Sequence, residues 1–151
     1  MARAVPHLLR SLAAALGEEH RRVEALLYDG TAAVDSAPPL LAFELLARRL
    51  RAHIDVGDRC LFPAFERQTG MRDEGPTVAL RHEHREIERR LQAMEDGPDD
   101  AARTAAELGR LRALLDDHFQ REESVLYPAC DRLLEPQERV AVLRGLAKKE
   151  A

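Results

Sequence analysis

Apolar residues recur along the chain at intervals of three and four, and clusters of glycine and proline cut that pattern into long pieces. The breaks are Asp29-Gly30, Ala37-Pro38-Pro39, Gly70, Gly75-Pro76, Gly97-Pro98 and Glu135-Pro136. A first helix is predicted over about 7–28, with Leu12, Leu16, His20, Val23 and Leu27 on one stripe. A second, over about 38–68, aligns Leu46, Leu50, His53, Gly57 and Leu61. The third, about 76–94, aligns Leu80, His84, Ile87 and Leu91. In the fourth, about 98–134, the stripe is Leu111, Leu115, His118, Glu122 and either Val125 or Leu126. A short fifth helix over about 136–148 would take Glu135 as its cap and Pro136 as its first residue. No strand-like alternation occurs. The expected architecture is all-α: a single domain over residues 1–151, built as an up-down-up-down four-helix bundle with a core at about 7–134 and a short C-terminal helix.

The chain also repeats itself. Glu19-His20 recurs as Glu83-His84 after 64 residues; His53 recurs as His118, and Leu61-Phe62-Pro63-Ala64 as Leu126-Tyr127-Pro128-Ala129, after 65. Pro63 and Pro128 fall where a helix would otherwise continue, so each should kink or loosen its helix beyond the histidine.

Composition narrows the function. Apolar residues make up 45% of the 151 and charged residues 33%, which suits one core and long solvated faces. The net charge is −4, from 23 basic and 27 acidic residues, without a long basic cluster, which argues against nucleic acid and membrane surfaces as partners. No apolar run approaches the roughly 18 to 20 residues that span a bilayer, and Arg10 interrupts the stretch from Leu8 to Leu16 that would imitate a secretory signal. Cys60 and Cys130 form no CxxC pair, so a reducing cytoplasm is the expected compartment. Neither a nucleophilic triad motif nor a phosphate-binding glycine loop is present.

Four of the six histidines, His20, His53, His84 and His118, lie mid-stripe on four different helices. One such histidine is ordinarily a core residue satisfied by a hydrogen bond. Four buried together can scarcely all satisfy one another, whereas a metal would accept their lone pairs. Glu122 follows His118 by one helical turn and shares its face. After His53 the matching place holds Gly57, so Asp58, at five residues, is expected to swing inward as a ligand, and Glu123 is expected at the surface. Imidazoles with bridging carboxylates suit a paired iron centre, while structural zinc would more often recruit cysteine. A ferritin-like site would need glutamates three residues before the histidines, where Gly17, Leu50, Arg81 and Leu115 stand.

On Glu19-His20, His53 with Leu61-Phe62-Pro63, Glu83-His84, and His118 to Glu123 with Leu126-Tyr127-Pro128, the sequence resembles the hemerythrin-like family of HHE cation-binding domains over about 12–134. The resemblance implies a four-helix bundle holding two non-haem iron ions, oxo- or hydroxo-bridged, on His20, His53, Asp58, His84, His118 and Glu122; zinc or manganese would suit the same ligands. Two departures from the family pattern stand out: Gly57 replaces the usual glutamate after the second-helix histidine, and Leu80 stands where oxygen carriers have a fifth histidine. Fewer ligands leave coordination positions open, so the expected function is binding of, or reaction with, dioxygen, peroxide or nitric oxide rather than oxygen storage. Gly57 would then open a pocket for such a ligand.

Consumption of peroxide or nitric oxide is one expectation. A metal-dependent sensor or iron-handling module and a structural bundle with a degenerate site are the others, each as a monomer or dimer. Cys60 is expected near the site, chiefly as packing. Tyr127 and Phe62 should pack the bundle end, with Tyr127 or Tyr28 in reach of a metal short of a ligand; His7 and His82 read as surface residues. Because imidazoles bind metal only when neutral, iron per chain, measured after equilibration across pH, should fall as pH drops below the ordinary histidine value of about 6.5. Full retention at about pH 4 would contradict a histidine-held metal.

Overall fold

The computed structural model describes residues 10–32, 39–97 and 100–150; the expected start of the first helix, with His7, and the positions Pro38 and Pro98 lie outside them. All regular structure among the described residues is helical: α1 (Leu12–Ala32), α2 (Pro39–Val56), α3 (Phe62–Thr69), α4 (Pro76–Asp96), α5 (Ala101–Arg121), α6 (Tyr127–Leu133) and α7 (Pro136–Glu150). Two π-turns, Gly57–Leu61 and Glu122–Leu126, join α2 to α3 and α5 to α6 without a break. Among the described residues no helix is long and apolar enough to cross a membrane.

Local chemistry sets the ends. Asp100 caps α5 by accepting from the Ala102 and Arg103 amides at 2.9 and 3.2 Å. Gly70, at φ 74°, ends α3 in the left-handed conformation that suits glycine. At α7 the Glu138 carboxylate reaches back to the Glu135 amide at 3.1 Å, one half of a capping box, with Pro136 in the first position.

The π-turns stand where the prolines demand them. A proline in a regular helix lacks its amide donor and crowds the carbonyl four residues back. Here Phe62 and Tyr127, each just before the proline, donate to the carbonyls of Gly57 and Glu122, five residues back, which widens the turn. The inward stripe therefore advances in two steps of four, from His53 through Gly57 to Leu61 and from His118 through Glu122 to Leu126, while Val125 is 54% exposed.

α1 packs on α2 and α5, α4 packs on α5 and α2, and α7 lies against α1, α2 and the first π-turn. The stripes predicted from spacing are buried. They build two separate apolar clusters: one holds Leu16, Leu61, Phe62, Leu80, Leu126 and Tyr127 and is closed by Val142, Leu143 and Leu146 of α7. The other holds Val23, Leu46, Leu50, Ile87, Leu111 and Leu115. Between them along every stripe sit the four histidines and Glu122, a polar layer across the core.

The start of α1 is held from a distance. Ser11 Oγ accepts from the Ala14 amide at 3.0 Å, and the Asp131 carboxylate of α6 accepts from the Leu12 and Ala13 amides at 2.7 and 3.0 Å. Asp131→Ala should lower unfolding free energy in urea by about 1–2 kcal/mol, the usual worth of a helix cap, and leave metal content unchanged.

Candidate metal centre

α1, α2, α4 and α5 each deliver one histidine to the polar layer: His20, His53, His84 and His118, none more than 5% exposed. Glu122 opens the second π-turn and is 1% exposed. The Nε2 atoms of His53 and His118 lie 3.0 Å from Glu122 Oε1. They are 3.3 Å from each other, and His84 Nε2 is 3.1 Å from His118 Nε2. His53, His84, His118 and Glu122 thus each offer a ligand atom, all within 4.8 Å of one another. His20 Nε2 approaches the same carboxylate oxygen at 3.3 Å, from the side of the Tyr127 hydroxyl, which is 2.9 Å away.

The outer ring nitrogens decide which tautomers are present. His118 Nδ1 lies 2.7 Å from Glu83, His20 Nδ1 2.7 Å from Glu123, and His84 Nδ1 2.8 Å from Asp58. Each Nδ1–H donates to its carboxylate, which leaves Nε2 as a bare lone pair turned inward. Facing them, both oxygens of buried Glu122 lack a hydrogen-bond donor. Away from His20, whose Nε2 accepts from the Tyr127 hydroxyl, lone pairs and an anion therefore converge with nothing positive between them, an arrangement that repels itself unless a cation sits at its focus. Imidazole and carboxylate are donors suited to divalent and trivalent first-row metals, so the residues present fit a metal ion.

Protonation agrees with that role. Burial, helped by His20 and His84 and opposed by Glu122, lowers the His53 pKa to about 4, so this ring is neutral at ordinary pH. Burial by itself would raise the Glu122 pKa; positive charge and N–H donors at His53, His118 and His20 are what hold it well below the usual carboxylate value, and with those rings neutral a bound cation would take that part. Aromatic walls fix two rings: Phe119 stacks on His20 at 3.8 Å between centroids, and Phe62 stacks on His84 at 5.1 Å.

The expected ligands separate in the structure. His53, His84, His118 and Glu122 come together; His20 faces Glu122 from beyond that group. Asp58 does not join the cluster, because its carboxylate turns to the outer nitrogen of His84, which orients the ring instead of contacting the focus. Glu123 is about half exposed, yet it holds His20 in the same way. Gly57 opens no pocket, contrary to expectation. A Cβ placed there would lie 2.8 Å from His84 Cε1 and 3.3 Å from Phe62 Cζ, so the two rings occupy the space that a glutamate side chain would need.

Glu83 carries a role that spacing alone did not reveal: it holds His118 and is itself paired with Arg121. Its signal was the repeated glutamate directly before a histidine, one position around the helix and so aimed at the neighbouring helix. The first-half counterpart, Glu19, is buried too, but pairs with Arg49 at 2.9 Å and Arg22 at 3.3 Å. His82 is exposed. Both cysteines are free and belong to the apolar end cluster; burial pushes the Cys130 thiol up to about 12.

Two substitutions test this geometry. Gly→Ala in a helix ordinarily stabilises by about 0.5–1 kcal/mol, but at Gly57 it should displace His84 and lower metal affinity at least about 10-fold, read by competition with a chelator. Equal affinity with a higher melting temperature would show that His84 moves aside freely. Asp58→Ala should lower metal affinity about 10- to 100-fold through loss of the His84 partner, and should cost the apo-protein about 1–3 kcal/mol because the buried His84 Nδ1–H loses its acceptor.

The hemerythrin HHE cation binding domain model matches residues 11–130. Neither a curated protein nor a solved structure matches the chain. The matched segment runs from the cap of α1 into α6 and contains all four buried histidines, Glu122 and both π-turns. With most of its length and its whole polar layer inside that match, the chain belongs to the hemerythrin HHE cation-binding domain family.

Proposed function

We propose that this protein holds non-haem iron in the polar layer, one ion on His53, His84, His118 and Glu122 and a second on the His20 side of Glu122, and that it binds or reacts with a small oxidant. One observation carries the reading: a fully buried carboxylate without a donor, faced by nitrogens of His53, His118 and His20, with the outer protons of His118 and His20 committed to Glu83 and Glu123. The donor set contains oxygen and imidazole and lacks thiolate, which favours iron over structural zinc. Bound iron would supply a Lewis acid able to exchange electrons with a ligand in an open position.

The chain's own residues set what can reach it. Apolar clusters close the layer on both sides, so the reactant is small: dioxygen, peroxide or nitric oxide. Glu83, Asp58 and Glu123 accept the outer N–H of His118, His84 and His20 and so aim the inward nitrogens. The same reading takes α1, α2 with α3, α4, and α5 with α6 as the members of an up-down-up-down bundle, in keeping with the closed circuit of contacts among α1, α2, α4 and α5.

Protein loaded with iron under anaerobic conditions should contain two irons per chain and change its visible spectrum on addition of azide or nitric oxide. An iron-replete protein blind to both would rule out the small-oxidant reading. Glu122→Ala should lose more affinity than the about 10- to 100-fold expected for removing an outer-shell partner.

A further inference from the structure

The internal repeat places Gly57 opposite Glu122 and Phe62 opposite Tyr127, each pair 65 residues apart. The two halves of the centre therefore differ at two equivalent positions. On the His84 side the aromatic residue is Phe62, which stacks on the ring and brings no polar atom, and position 57 brings no side chain at all. On the His20 side both positions bring oxygen: Glu122 Oε1 at 3.3 Å and the Tyr127 hydroxyl at 2.9 Å from His20 Nε2. Tyr127 is 1% exposed, its ring tilted 34° against His20, and its hydroxyl is directed at the nitrogen that would otherwise bind metal.

A tyrosine that only filled the bundle end could be a phenylalanine, as the equivalent Phe62 shows. Here the phenol O–H instead donates to His20 Nε2 beside an oxygen of the buried Glu122 carboxylate, so phenol, imidazole and carboxylate share one point on that side.

We infer that Tyr127 is a metal ligand, its phenolate oxygen completing with His20 and Glu122 a second, oxygen-rich position beside the histidine-rich one. This rests on the iron reading above and refines it. The phenolic O–H bond breaks as the oxygen bonds the ion, and the proton leaves to solvent; no electron is transferred. Gly57 supplies no carboxylate from the other half, and the phenolate adds an oxygen donor on the His20 side. Such a position prefers a hard, trivalent ion, and tyrosine has precedent as an iron ligand.

The chain has two tyrosines, which makes the assignment clean. Ferric-loaded full-length protein is examined for iron per chain, for a visible phenolate-to-iron charge-transfer band and for resonance-enhanced phenolate ring vibrations. The parent and Tyr28→Phe should show the band, because Tyr28 is 66% exposed on α1. Tyr127→Phe should lose the band and drop from two irons to one. If Tyr127→Phe fails to fold, persistence of the band in Tyr28→Phe still assigns it to Tyr127. Parent protein with two bound irons and no phenolate signal would overturn the inference while leaving the iron reading intact. Parent protein that binds no iron would overturn both.

Discussion

Glu122 is the constraint on which the rest of the structure turns. A carboxylate that is 1% exposed, with neither oxygen receiving a hydrogen bond, is one of the costliest groups a small bundle can bury. Neutral imidazoles do not relieve it, since their inward nitrogens bring lone pairs of their own. A cation at the focus turns each of these repulsions into a bond. The layer thus divides the core into two apolar clusters, and in the absence of metal it is the least self-consistent part of the fold.

The two π-turns connect backbone chemistry to that layer. Each proline prevents a regular helix from continuing, and the widened turn that accommodates it begins four residues after a histidine of the polar layer. The residue opening the turn, Gly57 or Glu122, therefore faces the core. The next, Asp58 or Glu123, is rotated to the neighbouring helix, where it meets His84 or His20. One backbone device, used twice, places an inward residue and an outer-shell carboxylate together.

The internal repeat underlies the arrangement of the layer, and its departures fall at the residues around the focus. The outer carboxylates follow the repeat where Asp58 and Glu123 are concerned. They depart from it at Glu19, which is drawn to Arg49 and Arg22 while Glu83 holds His118. The inward positions depart more sharply, glycine against glutamate and phenylalanine against tyrosine. Gly57 is also tied to its surroundings: the His84 and Phe62 rings lie where a side chain would go, so the lost carboxylate and the present seat of His84 exclude one another.

The order of the elements was legible in the sequence, because a 3.6-residue period and Gly/Pro punctuation are local properties that every stripe obeyed. The four histidines and Glu122 were legible for the same reason, since mid-stripe polar residues must meet in any bundle these helices form. What tertiary structure decided were choices between neighbours on a helix that differ by about 100°. Leu126 rather than Val125 turns inward, Asp58 serves His84 instead of the focus, Glu83 reaches His118, and the Tyr127 hydroxyl meets His20. Spacing along one helix cannot settle these. Each depends on which helix stands alongside and on the extra residue in a π-turn, and both are fixed only when the helices pack.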